Sequence, residues 1–390
     1  METGELKARV TERVDARGAA LDELAIRIHE RPELAFEERF ASSALADHLT
    51  REGAIVTRGA GGLETAYTAE IGSGAPVVAI LGEYDALPGV GHACGHNLMG
   101  TAANLAFLAL RDVAPELRGR VRVVGCPAEE RGNGKVKLIR AGVFSDVDAA
   151  LMYHPGDRDE IDPLMLAMVT LDIEFLGKAA HAAAEPHEGR NALDAVMLGW
   201  TALSALRLTV RSDSRFHGII TDGGKAANII PDRAAATLMV RSPDNAYLHD
   251  LRRRVLACFE GAAAATGCEL RAAWSDVCEL VNTNRPLAEA FAANARSLGR
   301  QMKTRRVGDT HGSTDMGNVT SIVPGIHPFL SITNGPVPGH STEFAAAARA
   351  PQALETMHVA AKALAMTAID VLRDEKLRMR AKEAFDGQRH

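Results

Sequence analysis

The sequence has little of several things, and each shortage excludes something. Aromatic residues are 4% of the chain, with two tryptophans. That scarcity accompanies an abundance of Ala, Arg and Gly and reflects composition more than function. No run reaches the ~18 consecutive apolar residues of a membrane-spanning helix, so no membrane partner is expected. The opening METGELKARVTERVDARG has no apolar core of the kind a secretory signal needs, and the expected location is cytoplasmic. Positive charge is never concentrated beyond Arg252-Arg253-Arg254, and the formal net charge is -6. A nucleic-acid backbone, which favours basic patches, is therefore not the expected ligand. The five cysteines, Cys94, Cys126, Cys258, Cys268 and Cys278, are odd in number and widely spaced. This pattern fits free thiols in a reducing compartment better than a disulfide framework.

What is present suits a globular chain. Hydrophobic residues are 46% and charged residues 24% of 390, a length equal to about two to three domains. Leu21, Leu24 and Ile28 recur at helical spacing until His29-Glu30-Arg31-Pro32 ends the run, and Phe36 to Leu49 resumes it. Thr65 to Ile71, a Gly72-Ser73-Gly74 turn and Pro76 to Leu81 read as a hairpin followed by a buried strand. A helix from about Leu98 to Arg111, a strand Val121 to Cys126, a helix Lys135 to Ala141 and a strand Ala149 to Tyr153 follow. Near Ala167 the rhythm changes. Val169 to Phe175 alternates strictly, and the order becomes β-α-β-β-α-β, a ferredoxin-like unit. Beyond Asn282 the earlier rhythm resumes with a helix Pro286 to Leu298, a strand Ile322 to Leu330 and a long helix Thr342 to Leu377. The charged tail after Glu375 extends or frays that helix.

The expected fold class is α/β, a largely parallel mixed sheet flanked by helices, with an inserted ferredoxin-like α+β domain. Residues 1–166 and 282–390 would form the catalytic domain and 167–281 the insertion. Three apolar strands each deliver ionisable residues just past their ends: Glu83 and Asp85, then Glu129 and Glu130, then His154. Ligands bind at the carboxyl ends of strands in such sheets. Cys94, His96, Glu130, His154 and His340 together offer a thiolate, imidazoles and a carboxylate, the donors of zinc or a similar borderline metal. Singly, Cys94 reads as a small buried hydrophobe and His154 as a core histidine. Their convergence at strand ends favours a metal. Adjacent carboxylates at Glu129-Glu130 are costly to bury unless a cation neutralises one of them. The natural division is one ligand and one general base.

GEYDALPGVGHACGHN, CPAEERGNGK, MYHP, GKAAHAAAEPHEGRNALDA, NIIPDRAAATLMVR and GHSTEF occur in this order over most of the chain. Together they resemble the amidohydrolase branch of metallopeptidase family twenty. The first motif is especially similar to the p-aminobenzoyl-glutamate hydrolase and β-alanyl dipeptidase sub-branch. The resemblance implies two divalent metal ions, zinc or manganese, held by Cys94, His96, Glu130, His154 and His340. It implies Glu129 as general base and proton shuttle, and an orienting role for Asp85 on a ligand. His181 would reach the partner subunit's active site in a homodimer built through the inserted lid domain, and would stabilise the oxyanion. Asn228 and Arg241 would hold the substrate carboxylate, and His217 is a further pocket candidate. Gly312-Ser313-Thr314-Asp315 resembles a sub-branch motif without an assigned role.

The expected reaction is hydrolysis of an amide bond in an N-acyl or N-aroyl amino acid or a dipeptide with a free carboxylate, through a metal-activated water. Three other readings stay open at this point: an aminohydrolase acting on an aromatic amine, a catalytically silent metal-binding subunit, and a cysteine hydrolase with Cys94 as nucleophile.

Overall fold

The computed structural model describes residues 2–306, 309 and 311–388. The chain divides into two compact units, Met1–Leu164 with Val281–His390, and Met165–Leu280. In the first, α1 (Thr3–His29) buries Leu6, Val10, Val14, Leu21, Leu24 and Ile28, the stripe that three-to-four spacing produces on a helix. α2 (Arg39–Arg51) follows. β1 (Val56–Arg58) and β2 (Tyr67–Ser73) pair antiparallel. β3 (Val77–Glu83) is buried at every residue, α3 (His96–Arg111) returns across it, and β4 (Gly119–Cys126) lies parallel to it. α4 (Gly134–Arg140), β5 (Ala149–Leu151) and β6 (His154–Gly156) complete this part.

β2 and β3 do not form the hairpin that the short Gly72–Gly74 turn suggests. β4 lies between them, antiparallel to β2 and parallel to β3. A strand that is apolar on both faces belongs in the middle of a covered sheet, and β3 has β4 on one edge and β5 on the other.

The second unit holds β7 (Ala167–Leu176), α5 (Ala192–Leu206), β8 (Arg215–Asp222), β9 (Arg233–Ser242), α6 (Asn245–Thr266) and β10 (Glu269–Trp274). Its sheet runs β10-β7-β9-β8 with every neighbour antiparallel, a ferredoxin-like order. The alternation seen in the sequence buries Val169, Leu171, Ile173 and Phe175. They share a core with Val196 and Leu203 of α5 and Val255 and Phe259 of α6.

The first unit then resumes with α7 (Arg285–Ser297), α8 (Met316–Thr320), β11 (Gly325–Ile326), β12 (Phe329–Ser331), α9 (Thr342–Ala347), α10 (Pro351–Arg373) and α11 (Glu375–Gln388). β11 closes a six-stranded mixed sheet beside β5, and β12 pairs with β6. The single strand expected over Ile322–Leu330 is thus two short ones, parted at His327-Pro328, where proline has no N–H for a ladder. The helix expected over Thr342–Leu377 is likewise broken. Ala350 is extended (φ -72°, ψ 154°), as the residue before a proline prefers, and Pro351 opens α10. α11 is a packed helix and no frayed tail, since Leu377, Ala381 and Phe385 are buried along one side of it.

Candidate metal centre

The site is built where β3, β4 and β5 end. Gly95 caps α3 with a left-handed backbone (φ 76°), which glycine adopts without steric cost. A Cβ there would lie 2.9 Å from Pro155. This one residue turns the chain so that Cys94 and His96, two apart, face the same point. On the other side, His340 also has a positive φ of 61°. Its Nε2 lies 3.1 Å from Cys94 Sγ, and its backbone N–H donates to Ala93 O.

Donor atoms gather in two triads that share Cys94. One is Cys94, His96 and His154, the other Cys94, Glu130 and His340, with all donor atoms of a triad within 4.8 Å of one another. Hydrogen bonds fix which nitrogens are available. His96 Nδ1 faces Asp85 Oδ1 at 3.1 Å and Asp85 O at 3.0 Å. His154 Nδ1 faces Pro155 O at 2.6 Å. Each ring therefore offers Nε2, and such outer partners set tautomer and orientation. Asp85 also accepts from Glu130 N through Oδ2, at 2.9 Å, so one carboxylate orients a ligand and holds the loop of the other triad.

Cations fit this donor set. His96 Nε2 and Glu130 Oε1 are buried and make no hydrogen bond, although buried polar atoms are nearly always bonded; the nearest carboxylate oxygen to His96 Nε2 is Glu83 Oε2 at 3.2 Å. Burial and the nearby Glu83 and Glu130 carboxylates push the Glu129 carboxyl well above its ordinary range. Burial also pushes the Cys94 thiol well above its usual value. That is the reverse of an activated nucleophile and argues against a cysteine hydrolase. A metal would instead deprotonate the thiol on coordination.

In a third grouping, Glu83, His96 and Glu129, Glu83 already has a cation. The Lys135 ammonium is fully buried, 2.5 Å from Glu83 Oε1 and 2.5 Å from Asp315 Oδ1. Its backbone N–H donates to Asp315 Oδ2. Burial alone would depress the ammonium, but Asp315 and Glu83 outweigh it and hold the group well above its ordinary value. Burial raises Asp315 to about 6 despite that lysine. Neither Lys135 nor Asp315 has a role that the sequence alone reveals. Lys135→Met should lower unfolding stability by about 3–5 kcal/mol, because two carboxylates would lose their buried counter-charge. Urea titration of the metal-loaded protein checks this, and an unchanged midpoint would contradict it.

The remaining sequence candidates lie in the second unit. His181 is exposed, and its Nδ1 accepts from Ala183 N and Ala184 N. Its loop is joined to Asn228, whose O accepts from Ala182 N at 3.0 Å. His217 stands opposite Met239 on β9, two residues from Arg241. Burial, then the Arg241 charge, lowers the His217 imidazole, and burial lowers Arg241 itself. The structure thus gathers the five metal-ligand candidates and Glu129 in the first unit. The second holds the other four: His181 next to Ala182, whose N–H bonds Asn228 O, and His217 within range of the Arg241 charge.

Donor sets for two cations beside a carboxylate, at the strand ends of an α/β sheet, define a metallohydrolase. The model of peptidase family M20/M25/M40 matches residues 79–368. A Xaa-Arg dipeptidase of Mus musculus is 39% identical, over 94% of this chain and 89% of its own. A p-aminobenzoyl-glutamate hydrolase subunit of Escherichia coli K12 is 36% identical over 72% of this chain and 63% of its own. A dinuclear metal-binding peptidase from Bacillus subtilis shares the fold with a TM-score of 0.70, at 24% identity over 92% of this chain and 99% of its own. The chain belongs to peptidase family M20/M25/M40. It is a metal-dependent amidohydrolase.

Proposed function

We propose that the chain cleaves the amide bond of a dipeptide or N-acyl amino acid with a free carboxylate, and that Glu129 is the general base. The sharing of Cys94 between two donor triads, with Glu129 beside them, carries this reading. Zinc or manganese bound there would lower the pKa of a water and polarise the amide carbonyl. Glu129 takes the proton of the attacking water and delivers it to the leaving amine. Among dipeptides, those ending in arginine come first, from the 39% identity to a Xaa-Arg dipeptidase. Aroyl-glutamates come second, from the p-aminobenzoyl-glutamate hydrolase relative. A screen of Xaa-Arg and β-alanyl dipeptides, aroyl-glutamates and N-acyl amino acids, with zinc, manganese or cobalt supplied, tests the assignment. Turnover that survives a chelator, or none on any amide, would sink it.

The protein works as a homodimer through the second unit, and His181 serves the partner's active site. β8 lies at the edge of its sheet, and Ile219 and Ile220 on it are 65% and 45% exposed, an apolar edge that favours pairing. His181 supplies a hydrogen bond to the developing oxyanion, while Arg241 with Asn228 grips the substrate carboxylate and His217 lines the pocket. His181→Ala and Glu129→Gln proteins, each inactive, should regain about a quarter of wild-type activity when mixed, because half the dimers then hold one complete site. Absence of any recovery would count against service in trans. All five cysteines are free, and among the described residues no helix is long and apolar enough to cross a membrane. The free thiols suit a reducing, cytoplasmic compartment.

A further inference from the structure

The loop between α1 and α2 touches the strand-end loops that carry the site. Glu33 O accepts from Ala86 N at 2.8 Å, next to Asp85. Glu38, fully buried, reaches the loop after β4. Its Oε1 accepts from Phe36 N at 2.8 Å and from Ala128 N at 2.9 Å. Its Oε2 accepts from Thr65 Oγ1 at 2.9 Å. Ala128 immediately precedes Glu129.

The backbone that Glu38 holds is strained. Among the described residues, four other than glycine have positive φ: Phe36 (64°), Ala128 (61°), Asn133 (52°) and His340 (61°). Such a conformation costs of order 1–3 kcal/mol and persists only where its surroundings enforce it. Two of the four, Phe36 and Ala128, donate to one oxygen of Glu38. The Phe36 ring closes over Gly132, where a Cβ would collide with it. The segment therefore braces the Ala128–Gly132 stretch by a hydrogen bond at one end and a ring at the other.

We propose that Glu38 is a positioning residue for Glu129, fixing the Ala128 peptide so that the base faces its proton. This rests on Glu129 being the general base. What Glu38 supplies is an acceptor at a set place, and its negative charge is secondary. Burial raises its carboxyl to about 7, so the neutral form already fits at physiological pH. The amide of Glu38→Gln keeps both bonds of Oε1 and can donate to Thr65 Oγ1. Glu38→Asp keeps the charge but withdraws it by one methylene from Ala128 N.

Both variants are compared with wild type and Glu129→Gln for kcat, KM, metal content and melting temperature, on the amide that wild type turns over fastest. Glu38→Asp should lose about 10²-fold in kcat, the scale of an ångström's misplacement, with KM and metal content unchanged. Glu38→Gln should stay within about five-fold of wild type, as the retained acceptor requires. A normal Glu38→Asp, a Glu38→Gln worse than Glu38→Asp, or metal lost in step with kcat would each overturn the proposal. Should Glu38→Asp fail to fold, Thr65→Val takes its place, since losing the anchor of Oε2 lets the carboxyl turn Oε1 away from Ala128 N. It should lose about ten-fold in kcat at constant KM, and an unchanged kcat overturns the proposal. If Glu129→Gln turns over normally, the base assignment itself falls. If it is dead while Glu38→Asp is normal, only the role of Glu38 falls.

Discussion

Glu129→Gln is expected to keep its metal ions and lose about 10²–10⁴-fold in kcat, the usual contribution of a general base. The expectation of retained metal follows from the geometry. Neither Cys94-sharing triad includes Glu129, and the Asp85 bonds to His96 and to Glu130 N do not involve it. Glutamine is isosteric and accepts hydrogen bonds, so the loop should hold. It takes no proton at neutral pH, so the attacking water and the leaving amine lose their shuttle. KM should change little, because the carboxylate makes its contribution in the transition state. The measurement is kcat and KM beside metal analysis of the same preparation. Loss of metal together with activity would make Glu129 a ligand. Normal turnover would place the base elsewhere.

The residues that were legible in the sequence share a physical trait. Cys94, His96, Glu130 and His154 stand at or just beyond the ends of apolar strands or on the turn into α3, and an apolar run betrays a strand without knowledge of its neighbours. β3 is such a run, buried at every residue. Pairing was less legible. The turn at Gly72–Gly74 is compatible with a hairpin, and only the competition of β4 for both neighbours decides otherwise. The supporting shell was not legible at all. Lys135 meets partners 52 and 180 residues away, and Glu38 meets Ala128 across 90. A lysine at the start of a short helix and a glutamate before another look like surface residues until tertiary packing buries them. Asp315 was visible as a motif, but its partner Lys135 is what gives it a role.

Cys94 is the residue whose loss should do the most to the centre. Cys94→Ala should weaken binding at both cation positions, by at least about the 10–100-fold that disturbing even an outer partner of a metal ligand costs. His154→Ala and His340→Ala should each weaken one position and leave the other near wild type. The asymmetry follows from membership, since Cys94 belongs to both triads and each histidine to one. Asp85 ties the two sides through His96 Nδ1 and Glu130 N, which should keep the second position formed when a histidine is lost. It offers nothing in place of the sulfur, because both of its oxygens are committed. Metal titration of the three purified variants, counting ions bound per chain, reads the difference directly. A Cys94→Ala protein that keeps one ion at wild-type affinity would show that the thiol serves one position only. The centre would then be two separate sites joined by Asp85.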